Sequence, residues 1–198
     1  MDKTLGKLLR ELEQEGTEND AQASTRDKKM LNITHDTGQF LSLLIKATQT
    51  EQILEIGTSN GYSTLWLADA LPETGSVTTV EMSAEKIRQA SINFKRAGLE
   101  ENIVQVQKSA GDFFESLDKQ YDFIFLDAER VEYMNFVTRV ITALKPGAVL
   151  VCDNAISHAE ELKDFIYYIE NHPDFNSCTV PVGKGEFVAY KNRHSIKA

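Results

Sequence analysis

The stretch Gln52-Ile-Leu-Glu-Ile-Gly-Thr-Ser-Asn-Gly-Tyr-Ser63 is apolar up to Gly57, meets a second glycine at Gly61, and opens onto Thr64-Leu-Trp-Leu-Ala-Asp-Ala70. It reads as strand, tight turn and helix. Glycine is needed in such a turn because the backbone bends sharply and its N–H groups must stay open to a ligand that a Cβ would keep away. A dinucleotide loop would read G-x-G-x-x-G and cradle a pyrophosphate. This chain reads E-x-G-x-x-x-G-Y-S, lacks the third glycine, and places Glu55 beside the loop, a charge that suits an ammonium group better than phosphates.

At these residues the sequence resembles the class I S-adenosylmethionine (AdoMet)-dependent methyltransferases. More closely, Leu54-Glu-Ile-Gly-Thr-Ser-Asn-Gly-Tyr-Ser63 is similar to the first motif of the catechol and caffeoyl-CoA O-methyltransferase group. The resemblance extends over about residues 30–192. It implies an α/β, Rossmann-like fold: a mostly parallel seven-stranded sheet, helices on both faces, and a C-terminal antiparallel hairpin. Glu55, Gly57, Thr58, Ser59, Gly61, Tyr62 and Ser63 are then candidate cofactor contacts. So is Thr34, because Thr34 to Leu44 resembles the family segment that precedes the first strand and borders the cofactor.

Composition sets wider limits. With 198 residues, 41% hydrophobic and 26% charged, the chain is an ordinary globular domain able to bury its own core. No apolar run approaches the ~20 residues of a membrane span, and the N-terminus lacks a signal peptide's order, so a cytoplasmic location is expected. Cys152 and Cys178 lack the number for a disulfide scaffold and the spacing for a zinc site. A net charge of −9 argues against a broad grip on nucleic acid.

Along the chain, Leu5, Leu8, Leu9 and Leu12 predict an amphipathic helix over residues 1–15 that packs on the domain or on a second subunit, hinting at a homodimer. Residues 16–29 are polar without an apolar period and read as a loop or mobile arm, so residues 1–29 form a helix and arm ahead of a domain over 30–198. A helix follows over Gln39–Lys46, capped by Thr34 or Asp36. Gly75–Val80 reads as a second strand ending at Glu81, with Met82 beyond it. An acid there, about 20 residues past the glycine loop, can accept both ribose hydroxyls of a nucleoside. The alternative is an acid favoured by the start of the next helix. After a third strand at Ile103–Val106, the resemblance places Ala110, Gly111 and Asp112 beside the adenine, although Asp112 could equally cap the next helix.

Tyr121–Asp127 reads as a strand ending in a carboxylate, Met134–Leu144 as a helix ended by Lys145-Pro-Gly147, and Ala148–Cys152 as a strand ending in Asp153-Asn154. Three oxygen donors, Asp127, Asp153 and Asn154, from neighbouring strand tips describe a hard-cation site, with magnesium the first expectation. The resemblance assigns the same positions to metal. Such an ion would acidify an acceptor hydroxyl near the sulfonium methyl. Asp127, Arg130 and His158 are the candidate catalytic residues. Arg130 stands where the family usually has a lysine; it stays protonated, so it orients substrate better than it accepts a proton, and His158 is the nearest candidate base. The segment Ala155–Glu161 departs from the family's substrate loop, which opens the identity of the acceptor. His158–Glu170 reads as a helix, and Ser177–Val182 with Glu186–Lys191 as a closing hairpin.

The reading that emerges is an AdoMet-dependent O-methyltransferase acting on a small hydroxylated, aromatic or catechol-like molecule. Two others compete with it: methylation of a hydroxylated tRNA base, for which Lys28, Lys29, Lys184, Lys191, Arg193 and Lys197 could supply a local basic surface, and a non-catalytic AdoMet-binding protein.

Overall fold

The computed structural model describes residues 2–193. The strands are β1 (Gln52–Ile56), β2 (Ser76–Glu81), β3 (Ile103–Gln107), β4 (Tyr121–Leu126), β5 (Leu144–Cys152), β6 (Phe175–Val180) and β7 (Glu186–Lys191). They form one seven-stranded sheet in the order β3-β2-β1-β4-β5-β7-β6. The first five are parallel, and β7 runs antiparallel between β5 and β6, with Cys152 opposite Phe187. The helices are α1 (Lys3–Gln22), α2 (His35–Thr48), α3 (Tyr62–Ala70), α4 (Ala84–Ala97), α5 (Ala110–Glu115), α6 (Tyr133–Ala143) and α7 (Ala159–Glu170). The expected fold class is the one observed.

Alternation along the strands divides the core. Ile53, Phe123, Phe125, Val149 and Val151 face the layer of α1 to α4, while Leu54, Ile56, Ile124, Leu126 and Leu150 face α5 to α7. Phe123 to Leu126 are fully buried, and each such side chain contributes about 1.5–3 kcal/mol relative to exposure. The parallel centre of the sheet therefore reads as a continuous apolar run.

Several boundaries differ from the sequence expectation, among them the start of α2, at His35 rather than Gln39, and three others. First, α1 continues through Gly16 to Gln22, so half of the expected polar arm is helix. Asn32 lies against Gly16 and donates to the Leu12 carbonyl at 3.0 Å, while Asn19 and Asp20 accept the Met30 N–H at 3.0 and 2.8 Å. A helical turn held by such polar contacts shows no apolar period. Second, α6 stops at Ala143, because Leu144 already pairs with Tyr121 and Lys145-Pro-Gly147 becomes an irregularity inside β5 rather than a helix stop. Third, β6 begins at Phe175 and ends at Val180.

The leucine stripe of α1 is buried with Leu41, Ile45, Trp66 and Phe94 of the same chain, so it is not the surface that would join a second subunit. Cys152 and Cys178 are both free thiols. Among the described residues, no helix is long and apolar enough to cross a membrane. The basic surface is thinner than its lysines suggest: Lys191 turns its Nζ inward to the carbonyls of Ile141 and Leu144 at 2.7 and 2.8 Å. Lys197 lies outside the described residues.

Candidate active site

The parallel strands end on one edge, and their tips open into a cavity of about 1500 Å³. This is where open α/β sheets bind ligands, since the loops beyond the strands' carboxyl ends are the ones free to vary. Of the expected contacts, Gly57, Thr58, Ser59, Tyr62, Ser63, Glu81, Met82, Ala110, Gly111, Asp127, Arg130, Asn154 and His158 all line it.

Glu81 ends β2 half-exposed, and its carboxylate accepts the Ser59 N–H at 3.0 Å and the Ser83 N–H at 2.9 Å. It thereby ties the glycine loop to the neighbouring strand while keeping lone pairs for a ligand. Ser83, not Glu81, caps α4, accepting the Lys86 N–H. The helix-start alternative for Glu81 is thus taken by another residue.

Five expected contacts are placed off the cavity wall. Thr34 caps α2 by accepting the Thr37 N–H at 3.4 Å. Gly61 packs on Phe94, and Asp112 sits in the first turn of α5, with its N–H donating at 3.1 Å to the true cap, Ser109. Asp153 lies behind Asn154, only 4% exposed.

The fifth is Glu55, which shares the α1-to-α4 face of β1 with Ile53 and so lies buried beneath the loop instead of beside the ligand. It accepts hydroxyl hydrogens from Ser63 at 2.6 Å, Thr79 at 2.6 Å and Thr64. These bonds buckle β1, β2 and α3 together under the glycine turn. Burial pushes the Glu55 carboxyl up to about 7 against the pull of the three hydroxyls. Between its ordinary value of 4.5 and about 7 the native state keeps a proton that the unfolded chain has lost, so stability falls as pH rises through that window. The full effect is about 3 kcal/mol. Urea unfolding at pH 5 and pH 8 should therefore show a smaller decline in Glu55→Gln than in the wild type; equal declines would remove Glu55 from the pH dependence.

On the β4 and β5 tips, Asn154 Nδ2 lies 2.6 Å from Asp153 Oδ2 and 3.5 Å from Asp127 Oδ1. Burial, then the Asp153 charge, raise the Asp127 carboxyl well above the usual carboxylate range. Behind Asp153, burial and the Asp153 charge push fully buried Glu186 up to about 10, so it keeps its proton. Among the described residues no cluster of three His, Cys, Asp or Glu has metal-holding geometry. The donor set is two carboxylates around one amide, whose Nδ2 faces them; with that amide turned to present its oxygen, the three would suit a hard divalent cation, which would relieve the repulsion between the carboxylates.

Arg130 is 6% exposed and its Nε donates to Glu161 Oε2 at 2.8 Å, while its Nη2 has no partner among the described residues. His158 is half-buried at the start of α7, 2.9 Å from the Ser157 hydroxyl. Two further residues of the region carried no signal of their own in the sequence, Tyr133, whose hydroxyl accepts the Ala128 N–H at 2.8 Å, and Glu186; a third, Lys184, marked in the sequence only as part of a basic surface, lines the cavity from the hairpin.

The profile of the O-methyltransferase family matches residues 5–191. A catechol O-methyltransferase from Niastella koreensis is 33% identical over 138 residues, 68% of this chain and 62% of that protein. The chain thus spans under two thirds of that relative. A caffeoyl-CoA O-methyltransferase from Medicago sativa is 28% identical over 180 residues, covering 79% and 73% of the two chains. Among solved structures, the O-methyltransferase TomG from Streptomyces achromogenes, in complex with SAM, superposes with a TM-score of 0.80 at 27% identity, over 97% of this chain and 91% of that one. Because the family profile runs from α1 to the last strand, taking in the glycine loop and every acid on the cavity edge, the chain belongs to the O-methyltransferase family.

Proposed function

We propose that the chain is an AdoMet-dependent O-methyltransferase that methylates a hydroxyl of a small catechol-like acceptor, with a divalent cation, magnesium first, held by Asp127, Asp153 and Asn154. The observation that carries this reading is one cavity lined on one side by the Gly57 loop and Glu81 and on another by Asp127 and Asn154. Such a lining supports a nucleoside site and an acceptor site within one enclosure. The names and bound cofactor of the relatives support the same chemistry.

In this mechanism Glu81 binds the ribose hydroxyls, and the backbone of the Gly57 loop receives the rest of the cofactor. The residues at the β4 and β5 tips orient the acceptor so that its oxygen, the methyl carbon and sulfur fall in line, which is most of what the protein must supply. When bound, the cation supplies Lewis acidity that lowers the acceptor hydroxyl from its phenol-like pKa of about 10. Arg130, clamped by Glu161, positions the substrate side of the wall and stays protonated throughout.

The test is Glu81→Ala with calorimetry. AdoMet affinity should fall by about 1–3 kcal/mol, because the ribose hydroxyls lose their paired acceptor. Unchanged affinity in a folded variant would remove Glu81, and with it the cofactor orientation, from the site.

A further inference from the structure

We propose that Lys184 is a catalytic residue of the acceptor half of the cavity: its ammonium faces the acceptor oxygen and stabilises the negative charge that develops there. The inference rests on the methyl-transfer reading above and adds a residue to it.

The position is built by the hairpin loop. Gly183 and Gly185, on either side of Lys184, have φ of +56° and +96°. A Cβ on Gly183 would meet the Thr37 hydroxyl at 2.2 Å, and one on Gly185 would meet Ile156 at 2.4 Å, so the loop is pressed onto the start of α2 and onto the turn after Asn154. The main chain is fastened there as well. The Lys184 carbonyl accepts the N–H groups of Ile156 at 3.2 Å and Ser157 at 3.0 Å, and the Gly185 carbonyl accepts the Ala155 N–H at 2.8 Å. On the other flank the Gly183 N–H donates to Asp36 at 3.1 Å. The backbone of Lys184 is therefore fixed against the Asn154–Ser157 turn, while its side chain is exposed and lines the cavity.

Two cations, the Lys184 ammonium and the Arg130 guanidinium, line the same cavity as Asp127. Arg130 is buried and its Nε is engaged by Glu161, so it has little freedom to follow a reacting oxygen. Lys184 has a flexible four-carbon stem and three donors, and among the described residues none of them is committed to a hydrogen bond or ion pair. It is the cation equipped to meet a charge that appears only during the reaction. The hydroxyl proton leaves to solvent, the oxygen bonds the methyl carbon, the carbon–sulfur bond breaks with its electron pair going to sulfur, and a neutral thioether departs. The ammonium acts on the first of these events by favouring the ionised oxygen.

The experiment compares wild type, Lys184→Met and Lys184→Arg in saturating magnesium, with catechol and with a nitrocatechol whose hydroxyl is already acidic. For catechol, Lys184→Met should lower kcat about 100-fold, the scale of losing one preorganised charge donor, and Lys184→Arg should recover to within about tenfold. For nitrocatechol the loss should shrink to a few-fold. The visible absorbance of nitrocatechol bound with S-adenosylhomocysteine should ionise at lower pH in the wild type than in Lys184→Met. Losses equal for both acceptors, or a bound nitrocatechol whose ionisation ignores the substitution, overturn the role of Lys184. Wild type that binds and ionises nitrocatechol in a Lys184-dependent way without turnover leaves the residue assignment standing and rejects the methyl-transfer reading. Absence of both binding and turnover overturns the two together.

Discussion

Asp153→Ala is expected to lower turnover of a catechol acceptor about 1000-fold in saturating magnesium, while AdoMet affinity measured by calorimetry stays within about twofold. The size follows from the several kcal/mol that Lewis-acid stabilisation supplies, at about 1.36 kcal/mol per tenfold in rate. The residue is 4% exposed and holds the Asn154 amide at 2.6 Å, so its loss removes one carboxylate and loosens a second donor at once. The cofactor side is spared because Glu81 and the Gly57 loop hold each other through the Ser59 N–H, with no bond to Asp153. Asp153→Asn keeps the shape and should still lose about 100-fold, since an amide carries no charge for the cation. If either variant retains wild-type activity in EDTA, the cation has no part in the reaction.

Much of this site was legible because acids at strand ends are a local pattern. Glu81, Asp127 and Asp153 each follow a β-branched or aromatic run, so the end of the run locates the acid on the carboxyl edge of a parallel sheet. Glu55 was also legible, but its side was misjudged. Alternation puts it on the face of Ile53, under α3, and the Ser63-Thr64 pair that follows the second glycine is the pattern that binds it there. In Ser109-Ala-Gly-Asp112 the serine takes the cap and the acid the third helical position, the usual order of a capping box.

Other features depend on contacts that no short window contains. Glu186 meets Asp153, and Lys184 meets the Asn154–Ser157 turn, only because β7 inserts beside β5 and brings the chain's far end back to its centre. The ordered turns of α1 beyond Gly16 depend on Asn32, Met30 and Leu31 arriving from the next segment. The pairing of Arg130 with Glu161 likewise joins the turn after β4 to the first turn of α7, whose proximity is set by the neighbouring β4 and β5. In each case the residues were in view and the fold supplied the partner.

Gly57→Ala should be the most damaging single methyl added to this chain. At φ of +105° the residue lies outside the conformations that alanine tolerates, and the new Cβ would stand 2.1 Å from the Asp127 carbonyl oxygen. Neither side can retreat cheaply: the Gly57 N–H donates to the Val80 carbonyl at 2.9 Å, and the Asp127 N–H donates to Ile56 at 2.9 Å, which lock the tips of β1, β2 and β4 together. Overpacking between fixed backbones and a disfavoured φ together cost about 3 kcal/mol or more. The urea midpoint should fall accordingly, and AdoMet affinity by at least about tenfold, because relieving the clash moves the loop that receives the cofactor. Gly111→Ala is the control: a Cβ there meets nothing within 4 Å, and the position is helical, so stability should hold or rise by up to about 1 kcal/mol. If Gly57→Ala unfolds like the wild type and binds AdoMet normally, then the loop is not held by its contact with the β4 tip. The cofactor and acceptor halves of the cavity would then be mechanically independent.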